Sequence, residues 1–143
     1  MYKKTITFKD LEGNNISRDF YFNLSKPELI KLDASVPGGM QNYIKKTQEE
    51  KNIGGLLNFI ESFITMAYGE KGDDGISFIK VRNGEKLGEN FKQTNAYEVL
   101  FTELVNGTDN GAAFTEFLNG VIPSDLMSQA KIEQQKFLEN RNK

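Results

Sequence analysis

An α+β fold, mainly α, built as an N-terminal β-hairpin followed by a bundle of about five to six helices, is predicted by three patterns in the chain. Apolar and polar residues alternate with a period of two up to Leu24. A helix-capping signature follows at Ser25, and beyond it apolar residues recur at steps of three and four.

The alternation defines the hairpin. Tyr2, Lys4, Ile6 and Phe8 fall on one face of a first strand, and Ile16, Arg18, Phe20, Phe22 and Leu24 on one face of a second. Between them, Glu12-Gly13-Asn14-Asn15 supplies residues that tolerate positive φ, as an antiparallel hairpin needs. Two strands alone are marginal, so this pair must lean on helices or on another subunit. Tyr21 falls on the opposite face, partly exposed.

The clearest helix start is Ser25, whose hydroxyl can cap the Glu28 amide while the Glu28 carboxylate returns to the Ser25 amide. This helix runs to about Ser35 and stops at Val36-Pro37-Gly38-Gly39, where proline disfavours α geometry before it. A second, thinly apolar helix spans Met40 to about Lys51, with Met40, Tyr43 and Ile44 inward. The third is the expected central core helix: Ile53, Leu56, Leu57, Ile60, Phe63, Ile64, Ala67 and Tyr68 form its stripe, widened by Phe59 and Met66.

Gly69 to Gly75 reads as flexible punctuation, and Ile76 to Val81 as a short strand or extended segment with Phe78 inward. Asn83-Gly84 and Gly88 make the stretch to Glu89 irregular. A fourth helix opened by Thr94 carries Tyr97, Leu100, Phe101, Leu104 and Val105 and ends at Asn106-Gly107. A fifth starts at Thr108 or Asp109, with Ala113, Phe114, Phe117, Leu118 and Val121 as its stripe, and pairs with the fourth as a helical hairpin. After Pro123, Ser124 caps a final helix reaching about Leu138, on a stripe broken by Glu133 and Gln134.

The length suits one hydrophobic core, so residues 1–123 are expected to form a single globular domain, 2–24 as hairpin and 25–123 as helices. Residues 124–143 form a C-terminal helix and polar tail open to a partner. Net charge of −2 gives no basic field for nucleic acid, and no segment reaches the apolar length of a membrane span. Nothing at the amino terminus resembles a signal peptide, so the expected place of work is the cytoplasm.

The chain has no cysteine and no histidine, which removes disulfides, thiolate metal sites, cysteine nucleophiles and the commonest general base. Asp73-Asp74-Gly75 lacks the alternating ligands and distant glutamate of a calcium loop and reads as a solvated acidic turn. Gly69-Glu70-Lys71-Gly72 lacks the order that wraps phosphates. Glu61, Glu98, Glu103 and Glu116 sit on the polar sides of their helices. No catalytic, cofactor or metal site is expected. What remains is aromatic: eleven phenylalanines and five tyrosines, most at core spacing. Phe20, Tyr21 and Phe22 in the hairpin, and Leu126, Met127, Phe137 and Leu138 in the final helix, are the candidates for partner binding or self-association.

Between Tyr68 and Pro123 these residues occur in a recognisable order. Tyr68-Gly69-Glu70-Lys71, Phe78-Ile79-Lys80, Phe91 through Gln93-Thr94, Ala96-Tyr97, Leu100-Phe101, Glu103-Leu104 and Phe117 through Asn119-Gly120-Val121-Ile122-Pro123 follow one another. Asp19-Phe20-Tyr21-Phe22-Asn23-Leu24 and Pro37-Gly38-Gly39 precede them. In this order and spacing, over roughly residues 2–125, the chain resembles the tail assembly chaperones of long-tailed phages (siphophages) infecting Gram-positive bacteria. The link Val81 to Lys86 is longer than the family's usual one.

That resemblance implies a non-enzymatic protein that binds the apolar, helix-rich tape measure protein, keeps it soluble while tail tube subunits assemble, and is absent from the mature virion. It also implies help in recruiting tail tube protein, and a short form of a product that is often extended by frameshifting. The competing reading is a permanent virion part, a head-tail connector or tail-completion protein. Self-association through the hairpin edge or the final helix is expected, because a two-stranded sheet leaves backbone groups unpaired.

Overall fold

The computed structural model describes residues 1–106 and 112–122, apart from the side chains of Gln48 and Ala112. Its order is β1 (Tyr2–Lys9), β2 (Asn15–Phe22), α1 (Lys26–Ser35), α2 (Met40–Glu49), α3 (Ile53–Ala67), β3 (Tyr68–Lys71), β4 (Phe78–Ile79), β5 (Val81–Arg82), β6 (Glu85–Lys86), α4 (Leu87–Phe91), α5 (Asn95–Val105) and α6 (Ala112–Val121). The expected α+β class, mainly α with an N-terminal hairpin, is what the chain adopts.

β1 and β2 pair antiparallel in full register, from Tyr2 opposite Phe22 to Lys9 opposite Asn15. The turn is built by Asp10: its amide donates to the Asn14 carbonyl, its carbonyl accepts from the Gly13 amide, and Gly13 takes the positive φ that this bulged turn requires. The inner face carries Tyr2, Lys4, Ile6 and Phe8 with Phe20 and Phe22, and the outer face carries exposed Lys3, Thr5, Thr7 and Asp19.

The hairpin does not stand as two strands. The sheet has four, in the order β1-β2-β3-β4, because α3 runs without a loop into β3, where Tyr68 lies opposite Phe22 and Gly69 opposite Tyr21. The segment expected to be flexible punctuation is therefore a strand over Tyr68–Lys71. Gly69 is needed there because the Phe78 ring lies over it, and an added Cβ would fall 2.7 Å from the Ile79 carbonyl oxygen.

A second departure lies in the stretch from Asn83 to Glu89, expected to be irregular. Asn83 and Gly84, both at positive φ, make the two-residue turn between β5 and β6, and α4 follows directly. Gly88 lets α4 press against the α3 backbone, since a Cβ there would run into the Thr65 carbonyl.

The capping box at Ser25 is present in full, with the Ser25 amide 3.0 Å from Glu28 Oε1 and the Glu28 amide 3.3 Å from Ser25 Oγ. Thr94 caps α5 as expected, accepting from the Tyr97 amide at 3.2 Å. α3 is the central helix, burying Phe59, Ile60, Phe63, Ile64 and Ala67. Its stripe is narrower than expected: Ile53 at the helix start is 67% exposed, and Met66 is 37% exposed. One cluster of buried residues draws on the sheet and on all helices from α1 to α6, with Phe22, Phe63 and Phe117 at its centre. The expected start at Thr108 or Asp109 and the expected final helix from Ser124 lie outside the described residues.

Candidate functional site

Among the hairpin candidates, the three consecutive aromatic residues go to three different places. Phe22 is fully buried and meets the rings of Tyr68, Phe91 and Phe117 at 5.1–5.8 Å, so it belongs to the interior. Tyr21 is on the outer sheet face, under the Lys71 ammonium 4.4 Å from its ring. Phe20 is half-buried beside Phe8, Tyr68 and Phe91. Leu126, Met127, Phe137 and Leu138 lie outside the described residues.

Phe20 opens onto a groove of about 480 Å³ between the inner face of the sheet and α4. Its floor is Phe20, Tyr68, Phe91 and Leu87. Tyr68 and Phe91 stack nearly parallel, 4.3 Å between centroids, and Phe20 leans on Phe91 at 5.3 Å. Burial, reinforced by the Glu70 carboxylate and opposed by Arg82, holds the Tyr68 phenol above its ordinary pKa, so it stays a neutral donor.

The rim carries Arg18, Arg82, Glu70 and Glu85, two charges of each sign, with Arg82 paired to Glu70 and Glu85 accepting from Asn90 at 3.0 Å. The arrangement suits an apolar side chain or short apolar segment whose flanks carry mixed charge. It brings no nucleophile beside a base. Among the described residues, no group of three or more acidic side chains is arranged to hold a metal ion.

The acidic turn is occupied by its own backbone. Asp74 accepts from the Ile76 and Ser77 amides at 2.9 Å and from the Ser77 hydroxyl at 2.7 Å. The Ser77 amide and hydroxyl, followed by the Ile76 amide, hold its carboxyl down at about 2.

Sequence reasoning missed Tyr68 and Phe91 as members of one surface with Phe20. No local signal set Tyr68 apart from α3, because it also completes the helical stripe of that helix.

A family model described as phage tail assembly chaperone matches residues 1–143. The chain belongs to the phage tail assembly chaperone family. Searches of curated proteins and of solved structures returned no match. As a tail assembly chaperone it has tail proteins for partners. None of its helices, among the described residues, is long and apolar enough to cross a membrane.

Proposed function

We propose that this chaperone binds the tape measure protein, keeps its apolar helical segments soluble in the host cytoplasm, and helps recruit tail tube protein before being displaced from the finished tail. The observation that carries the reading is the family match over the whole chain. The half-buried Phe20 and Tyr68, backed by the buried Phe91, support it, because they offer apolar contact inside a charge-balanced rim. The work is shielding, not bond making.

Weak contacts repeated over many copies along one client gain avidity while each remains reversible, and polymerising tube protein then displaces them by mass action. Co-expression with a tape measure fragment tests this. The fragment is expected in the soluble fraction, co-purifying with this chain, and mass spectrometry of purified particles is expected to find no copies of it. A folded chaperone that leaves the fragment insoluble sinks the reading. Stoichiometric presence in particles would favour a permanent structural part.

A further inference from the structure

β1 ends the sheet with no strand beyond it, although α5 packs along it, and the hydrogen-bond phase shows which of its backbone groups face outward. Asp10 donates to the Asn14 carbonyl, so Asp10 and Asn14 form a hydrogen-bonded pair. In an antiparallel ladder such pairs alternate, so Phe8, Ile6, Lys4 and Tyr2 turn their amides and carbonyls toward β2. Lys3, Thr5, Thr7 and Lys9 turn theirs outward. The Lys9 carbonyl does point away from β2, because it accepts from Asn95 Nδ2 of α5 at 2.7 Å. Among the described residues, no hydrogen bond reaches the outward backbone groups of Lys3, Thr5 or Thr7.

We infer that this edge pairs with the same edge of a second copy, antiparallel about a two-fold axis at Thr5. Only registers that match outward-facing residues form a ladder, and charge together with the engaged Lys9 carbonyl separates them. Placing Lys3 opposite Thr5 sets Lys4 opposite Lys4 of the other copy, placing Thr5 opposite Thr7 sets Lys3 opposite Lys9, and placing Thr7 opposite itself opposes no lysines but needs the Lys9 carbonyl that Asn95 already holds. Like charges directly opposed are destabilising.

With Thr5 opposite Thr5, Lys3 meets Thr7 and Lys4 meets Ile6, so no two lysines are opposed. The Lys4 charge is meanwhile held by Glu103 at 2.9 Å. About six inter-strand hydrogen bonds form in this register, and the threonines pair across the outer face. The pattern is complementary to itself, so a second copy is the occupant the edge fits.

The two-fold axis stands perpendicular to the sheet, so both inner faces stay on one side. Two grooves floored by Phe20, Tyr68 and Phe91 are then displayed together, roughly 20–25 Å apart at the usual strand spacing. The pairing rests on strand geometry alone and holds whatever client the grooves take.

Thr5→Pro is the direct test, measured on the chaperone alone by light scattering. The lost amide points outward, so pairing to β2 survives while the edge is blocked. Wild type and the control Thr5→Val, which lacks only the Thr5–Asp19 hydrogen bond, are expected to double in mass with concentration, and Thr5→Pro to stay monomeric with an unchanged circular dichroism spectrum. Wild type that remains monomeric up to its solubility limit overturns the proposal. So does Thr5→Pro assembling like wild type, which would place the interface elsewhere, for instance in residues 123–143.

Should Thr5→Pro unfold, single cysteines in this cysteine-free chain decide. Hydrogen-bonded pairs lie about 5.5 Å apart at Cα, within disulfide reach. Thr5→Cys is expected to cross-link to itself on oxidation. Thr7→Cys is expected to cross-link only when mixed with Lys3→Cys. Self-linking by Thr7→Cys, or no link through Thr5→Cys, overturns the register. Loss of client solubility in a variant that still dimerises would count against the proposed client and leave the dimer standing.

Discussion

Lys80 donates from one ammonium to three segments: the Asn23 carbonyl after β2 at 2.8 Å, the Met66 carbonyl near the end of α3 at 2.6 Å, and the Glu28 carboxylate of α1 at 3.0 Å. Burial pulls its pKa below the ordinary lysine value, and Glu28 opposes that pull. Burial would raise the Glu28 carboxyl, but the Ser25 amide and then Lys80 outweigh it and hold it below its usual range. The capping box and the lysine therefore act on one carboxylate. Lys80→Met keeps the stem but strips a partner from Glu28 and from two helix- or strand-end carbonyls. It should lower stability by roughly 2–3 kcal/mol, read as a fall in the urea midpoint with an unchanged slope. An unshifted midpoint would show the triple contact to be worth nothing net.

At the scale of elements, α4 is held by contact and not by its own propensity, since five residues make little more than one turn. Leu87 and Phe91 face inward, Lys92 after its end bridges Glu61 of α3 at 3.1 Å, and Gly88 sits against the Thr65 carbonyl. Backbone on both sides cannot yield as a flexible side chain would. Gly88→Ala should therefore cost about 2–3 kcal/mol by forcing α4 off α3. Loss of the near-ultraviolet circular dichroism from Tyr68, stacked on Phe91 of the same helix, should accompany a lowered melting temperature. Retention of both would mean that α4 shifts at little cost.

Across the whole molecule, Phe22 joins layers that no local segment could join. It sits on β2, opposite Tyr68 of β3, and its ring meets Phe91 of α4 and Phe117 of α6. Phe22→Ala should cost about 3–5 kcal/mol, a large part of the 5–15 kcal/mol that such chains possess. Chemical denaturation should show it, along with reduced soluble yield. A drop under about 1 kcal/mol would mean that the core closes over the gap. Because the same ring also supports Tyr68 and Phe91 from beneath, the groove floor and the core are one packing unit, and a variant meant to probe the groove is better placed at the half-buried Phe20.

How much was legible follows from the range of each determinant. The hairpin faces, the caps at Ser25 and Thr94, and the stripes of α3, α5 and α6 were readable because capping spans three residues and amphipathic periods repeat within one element. Asn83-Gly84 was a hairpin signal that went unread because only two residues pair on each side of it. Tyr68 illustrates the limit: it fits the helical stripe of α3, yet pairing with Phe22, distant in the sequence, turns it into the first residue of a strand. Local order alone established the hairpin, the capped helix starts and the amphipathic helices, and the composition shows that the chain carries no histidine or cysteine. Which aromatics became interior and which became groove floor depended on long-range strand pairing and on ring packing between elements, neither of which leaves a periodic trace in the chain.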